Sequence, residues 1–184
     1  PQNIAGEGQR VHVQDSGIDA SHQDFTQGVL GSRIIYAQRT SDADGHGTHC
    51  TGSVAGNGYM FESYLGLNNG NRVYNELATS NPAGKNDLMA PTGRAPEAGI
   101  VSYEGLVSTE WDDGYNGYGA RIFSNSWGPG TITLGYVATG DTFMNNPAYA
   151  GSLVIFAAGN DGPRRLTVTG AGTGKLTIGV GARE

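Results

Sequence analysis

Lysine, cysteine and long apolar runs are what this chain has least of. Two of its 184 residues are Lys (Lys85 and Lys175) against nine Arg, a balance that suits a secreted protein without showing one. Cys50 is the single cysteine, so no disulfide can close within the chain and thiol usage does not reveal the compartment. No apolar stretch nears the roughly 18 residues of a membrane span, and Pro1 to Arg10 lacks the basic-then-apolar layout of a leader peptide. Positive charge is also in deficit. Lys and Arg number 11 against 17 Asp and Glu, a formal charge of -6, so the basic footprint of a nucleic-acid binder is missing and an anionic membrane is not an expected partner. Neither G-x-G-x-x-G opening a helix nor G-x-x-x-x-G-K-[ST] occurs, which leaves a nucleotide-binding reading weak.

What is abundant is glycine: 31 residues, where average usage gives about 13 in a chain of this length. They follow no three-residue period, so they point to tight turns and close backbone approaches within one globular unit. Apolar stretches alternate with Gly-rich turns and at least two helical segments, the pattern of an α/β fold with a largely parallel central sheet flanked by helices. The expected strands are Arg10–Gln14, Arg33–Ala37, Gly99–Tyr103, Ile122–Ser126, Leu153–Ala157 and Leu176–Val180. The expected helices are His46–Ala55 and a short one near Tyr136–Met144. Between Gly56 and Arg94 the composition turns to Asn, Gly, Tyr and Ser without periodicity, which reads as a long surface excursion.

Four short constellations carry chemistry. Asp15 ends the alternating run Val11-His12-Val13-Gln14, where a carboxylate can orient an imidazole, although an Asx-turn before Gly17 explains it as well. His46 stands between Gly45 and Gly47 at a helix start, a candidate general base because its reference pKa near 6.5 lies close to working pH. His46 and His49 with Asp42 or Asp44 would be a metal set, but H-E-x-x-H is missing, and the acidic run lacks the closing Glu of a calcium loop. Ser126-Trp127-Gly128 at a strand end could pair with an extended peptide, or Trp127 could fill a core gap. Asn160, after the small-residue strand ending Ala157-Ala158-Gly159, could aim its amide at a developing oxyanion, or Asn-Asp-Gly-Pro could be a plain turn.

Taken together and in this order, D-S-G-I-D, H-G-T-H-x-x-G, S-W-G and A-A-G-N-D-G resemble the motifs of the subtilisin-like serine proteases. Arg94-Ala95-Pro96-Glu97-Ala98 and Ile178-Gly179-Val180-Gly181-Ala182 extend the likeness over nearly the whole chain outside Gly56–Gly93 and part of Gly128–Asn146. The resemblance implies a secreted serine endopeptidase acting on polypeptides. It makes Asp15 the acid that holds the imidazole tautomer, His46 the general base and Asn160 the oxyanion donor, with Ser126, Trp127 and Gly128 lining the substrate cleft. It makes Cys50 a residue beneath the catalytic histidine, with a packing role.

The family's nucleophile lies in a G-T-S-M-A-like turn, and no G-T-S-x-[AS] occurs in these residues. Residues 1–184 are therefore expected to be the N-terminal part of one catalytic domain. The serine would come from the remainder of that domain, as a second chain or a cleaved segment. No cofactor is implied for the chemistry. Calcium is implied only as a structural ion, with Asp24 at a ligand position. Gly105–Gly114, flanked and dotted by Glu104, Glu110, Asp112 and Asp113, falls where the family places a second substrate-clamping strand, which would favour basic or neutral substrate residues. The alternative reading is a non-catalytic peptide-binding module that keeps the cleft without the nucleophile.

Overall fold

The computed structural model describes residues 5–27, 30–59, 92–105, 109–128, 134–162 and 167–181. Six strands build the sheet: β1 (Arg10–Asp15), β2 (Ile34–Ala37), β3 (Gly99–Glu104), β4 (Ile122–Asn125), β5 (Leu153–Ala157) and β6 (Ile178–Val180). Their order is β2-β3-β1-β4-β5-β6 and every pairing is parallel. Helices α1 (Gln23–Thr26), α2 (His46–Ala55), α3 (Trp111–Asn116) and α4 (Leu134–Asn145), with 3-10 turns at Pro147–Tyr149 and Gly170–Thr173, complete the described elements. The α/β class and the six strands follow the sequence expectation, with ends shifted by one or two residues.

The strand β1 lies at the point where the chain's progress across the sheet reverses. β3 and β2 lie to one side of it and β4, β5 and β6 to the other. A crevice forms outside the carboxyl ends of strands at such a point, and β1 delivers Asp15 there. Val-His-Val-Gln alternates apolar and polar residues, yet every residue from Val11 to Asp15 is buried, because helices cover both faces of a parallel sheet. Val11 and Val13 pack with Ala98, Val54 and Ala95 on the α2 side. On the other side His12 stacks on Tyr103, ring centroids 4.8 Å apart. The largest apolar cluster lies on that side and joins Trp111, Phe123, Phe143, Val154 and Phe156.

Helix α3 corrects the expected clamping strand over Gly105–Gly114: Trp111 to Gly114 are helical, and residues 106–108 lie outside the described ones. Trp111 anchors α3 in the core, and Gly114 lets it close on the sheet, since a Cβ there would lie 2.2 Å from His12 Nδ1. Most of the Gly56–Arg94 excursion also lies outside the described residues. Its ends are held together by the Gly93 N–H on the Gly56 carbonyl at 2.7 Å.

Candidate active site

Asp15 is 3% exposed at the carboxyl end of β1, and its Oδ1 accepts the Ser16 N–H at 2.8 Å. The same oxygen lies 2.6 Å from His46 Nδ1. That contact is the main cause of a raised His46 pKa, opposed by partial burial of the ring. With Nδ1 engaged, Nε2 is the nitrogen left to exchange a proton with another group. The acid is buried and the base exposed, side chains 4% and 49%, so the pair has an anchored end and an open end.

The open end is possible because α2 can come close to the turn after β1. A Cβ on Gly47 would stand 2.2 Å from the Gly17 carbonyl oxygen and 3.1 Å from Asp15 Cβ, so only glycine fits beside the dyad. Gly45, at φ 84°, swings the chain into the helix in a left-handed conformation and has no side chain to cap it. Asp42 does the capping instead. Its Oδ1 accepts from Gly45 N–H and from Ser16 Oγ, both at 2.9 Å. Its Oδ2 accepts from Thr48 N–H at 2.8 Å and from Thr48 Oγ1 at 2.7 Å. These contacts outweigh partial burial and bring Asp42 down to about 2. Asp42 is therefore committed to backbone and hydroxyl donors, and the His46, His49, Asp42 or Asp44 metal set does not assemble among the described residues.

Ser126, Trp127 and Gly128 follow β4 and separate two hollows. One, of about 510 Å³, is bounded by Asp15, His46, Asp44, Glu104, Ser126 and Trp127. The other, of about 520 Å³, is bounded by His46, Cys50, Ser126, Trp127, Gly128 and Asn160 among others. His46, Asn160 and the Ser-Trp-Gly segment thus line one hollow, and Asp15 lines the adjoining one with His46, Ser126 and Trp127. Trp127 walls both hollows and packs edge-on against Phe156 at 5.4 Å.

Cys50 Sγ lies 3.7 and 3.8 Å from the two His46 ring nitrogens. With Asp15 and His46 it forms the one group of three potential metal ligands found among the described residues. Burial pushes the thiol pKa up, which favours the protonated form over the thiolate a metal needs.

Of the acidic residues near the expected clamp, Glu104 alone lines the first hollow, where it pairs with Arg39. Glu110 accepts from Gln14 Nε2 at 3.0 Å, Asp112 from the Tyr149 hydroxyl at 2.6 Å, and Asp113 from the Tyr103 hydroxyl. Those three carboxylates hold α3 to its neighbours.

Asp24 lies on α1, apart from the cleft linings. The Arg33 guanidinium donates to its backbone carbonyl. Arg33, 6% exposed, also donates to the Ala55 carbonyl at 2.5 Å. Arg33 thus joins α1 to the end of α2.

A buried carboxylate thus meets an imidazole at the carboxyl ends of a parallel sheet, and the hollow beside that imidazole is also lined by Asn160. The chain belongs to the subtilase family, whose model matches residues 6–184. It is 31% identical over 183 residues to the subtilisin-like proteinase Spm1 of Pyricularia oryzae, covering 97% of this chain and 31% of that protein. It is 27% identical over 172 residues to the subtilisin-like protease SBT4.13 of Arabidopsis thaliana, covering 88% of this chain and 21% of that protein. Among solved structures, the Clostridium perfringens CspB protease shares the fold with a TM-score of 0.55 at 18% identity, covering 87% of this chain and 37% of that one. The chain spans about a third or less of these relatives' lengths in the first two cases.

Sequence reasoning named Asp15, His46, Ser126, Trp127, Gly128 and Asn160, which the structure places along two adjoining hollows, but it did not single out Ser16 and Thr48 as partners of Asp42, which it took for a potential metal ligand. An Asp four residues before His46 is visible in the sequence. That Ser16 meets it across 26 positions is not.

Proposed function

We propose that this chain is the acid–base and oxyanion portion of a serine endopeptidase. The observation that carries the proposal is the 2.6 Å Asp15–His46 contact opening on a hollow that also contains Asn160. Asp15 keeps the imidazole proton on Nδ1, so Nε2 takes the proton of a serine hydroxyl as that oxygen attacks a peptide carbonyl. The Asn160 amide donates to the carbonyl oxygen as it becomes an oxyanion. The imidazolium then returns its proton to the leaving amine, and a water repeats the sequence to free the acyl group. Ser126, Trp127 and Gly128 hold the substrate backbone, and no step requires a cofactor.

The serine is contributed by the remainder of the catalytic domain, as a second chain or a cleaved segment. Two features support this: among the described residues no serine hydroxyl is hydrogen-bonded to His46, and β6 leaves Ile178 and Val180 46% and 54% exposed. Secretion is part of the proposal by family likeness. Among the described residues no helix is long and apolar enough to cross a membrane. The test is a fluorophosphonate probe on the full-length protein. Labelling that disappears in His46→Ala supports the protease, whereas tight peptide binding without labelling supports a peptide-binding module.

A further inference from the structure

His46 sits between two glycines, the least constrained setting a backbone offers, yet its ring must meet one oxygen of Asp15. Gly47 cannot be replaced by a stiffer residue because of its approach to Gly17. The stiffness has to come from outside the Gly-His-Gly segment. It comes from a small polar framework on the Asp42 carboxylate. The carboxylate takes the N–H of Gly45 on one side of His46, and Ser16 Oγ, itself donating to Asp42, takes the N–H of Gly47 on the other at 2.9 Å. Thr48, held to Asp42 by two contacts, reaches back through its Oγ1 to accept the Asp19 N–H at 2.9 Å. Both glycine amides and both ends of the turn after β1 are thereby tied together.

We propose that Asp42 is a positioning residue for the general base: it fixes the first turn of α2 against the Asp15–Ser16 turn at the rotation that leaves His46 Nδ1 on Asp15. It touches no reacting atom and acts through Ser16, Gly45 and Thr48. The proposal rests on His46 being the base of a serine endopeptidase. It differs from ordinary helix capping because the framework joins the strand turn that carries the acid to the helix that carries the base.

The test is Asp42→Asn in the full-length protein. An amide of the same shape places an NH₂ against either the Gly45 or the Thr48 N–H, whichever way it turns. On the alkaline plateau, where His46 is unprotonated, kcat should fall about 10- to 100-fold with KM changed less than about threefold, as for a displaced catalytic group. The downfield proton resonance of His46 Nδ1–H should shift or vanish. The groups facing His46 are Asp15, Asp42, Asp44 and Cys50, so loss of one charge alone would move only the acid limb of the profile. A plateau within about twofold of the parent together with an unchanged resonance overturns the proposal.

Should Asp42→Asn fail to fold, Ser16→Ala removes only the strut to Gly47 and one of the carboxylate's contacts. Its plateau should drop about 3- to 10-fold, and an unchanged plateau overturns the proposal. The resonance requires no serine, so it decides the role of Asp42 even if the full-length protein hydrolyses nothing.

Discussion

On one side of the sheet's centre the cleft is braced by the chain's own contacts. On the other it rests on a strand with little cover. Asp15 and His46 are tied by hydrogen bonds through Ser16, Asp42 and Thr48, and the strand beneath Asp15 is buried throughout. Asn160 follows β5 in an exposed turn, and the neighbouring β6 is exposed along its length. The Asp15–His46 half is held by side-chain hydrogen bonds within the chain, whereas the Asn160 turn lies beside an exposed strand; on the proposed function the first handles the proton and the second the oxyanion. Breaking the first half should therefore abolish turnover, and disturbing the second should scale it.

The largest expected effect is at the braced end. Asp15→Asn keeps the shape but leaves the imidazole in the wrong tautomer, and kcat of the full-length protein should fall about 10⁴-fold with KM little altered. Single-turnover acylation measures it directly. A fall below about tenfold would mean that the dyad is not the proton-transfer pair. At the other end, Asn160→Ala removes the proposed oxyanion donor and should cost roughly 10²–10³ in kcat, a magnitude taken over from subtilisin itself. An effect confined to KM would place Asn160 in substrate binding instead.

The difference between the halves was only partly legible in the sequence. Asp15, His46 and Asn160 stand in short motifs whose joint order is informative, and the strand runs end in turns that mark them. The framework around Asp42 was not legible, because the donors that define it come from positions 16, 45 and 48 and meet only after β1 and α2 pack. Helix α3 was hidden for a different reason. Trp-Asp-Asp-Gly-Tyr-Asn has no apolar period, and it is helical because Trp111 fills the core and Gly114 passes over His12. Alternation alone cannot tell a solvated strand face from one covered by a helix, and the polar face of β1 is buried.

That face carries the next prediction. His12 is fully buried, neither ring nitrogen has a hydrogen-bond partner among the described residues, and burial brings its pKa down to about 4 despite the nearby Gln14 and Asp113. In the unfolded chain the ring titrates near its usual value of about 6.5. As pH falls below that value the unfolded state binds the proton first. The stabilisation is thus complete above the unfolded pKa, declines through the interval down to about 4 and levels off below it, amounting to about 3 kcal/mol. His12→Leu should flatten the denaturant-derived stability profile over that interval while leaving the His46 titration in place. Equal slopes in parent and variant would show that acid acts elsewhere.

The smallest effect concerns the braced half and the ion that the family resemblance suggested for it. Arg33 holds the carbonyls of Asp24 and Ala55 from within the fold, so α1 and the end of α2 are joined by a covalently attached cation. Arg33→Met should cost about 2 kcal/mol by leaving those acceptors short of a donor. Asp24→Asn should leave the effect of EGTA on the unfolding temperature within about 1 °C of the parent's, because a residue that holds no ion cannot change the linkage of that ion to unfolding. A drop on chelation that disappears in Asp24→Asn would restore calcium to that position and leave Arg33 as a neighbour of the ion. A drop that persists in Asp24→Asn would place the ion elsewhere and leave Arg33 as the cation that joins α1 to the end of α2.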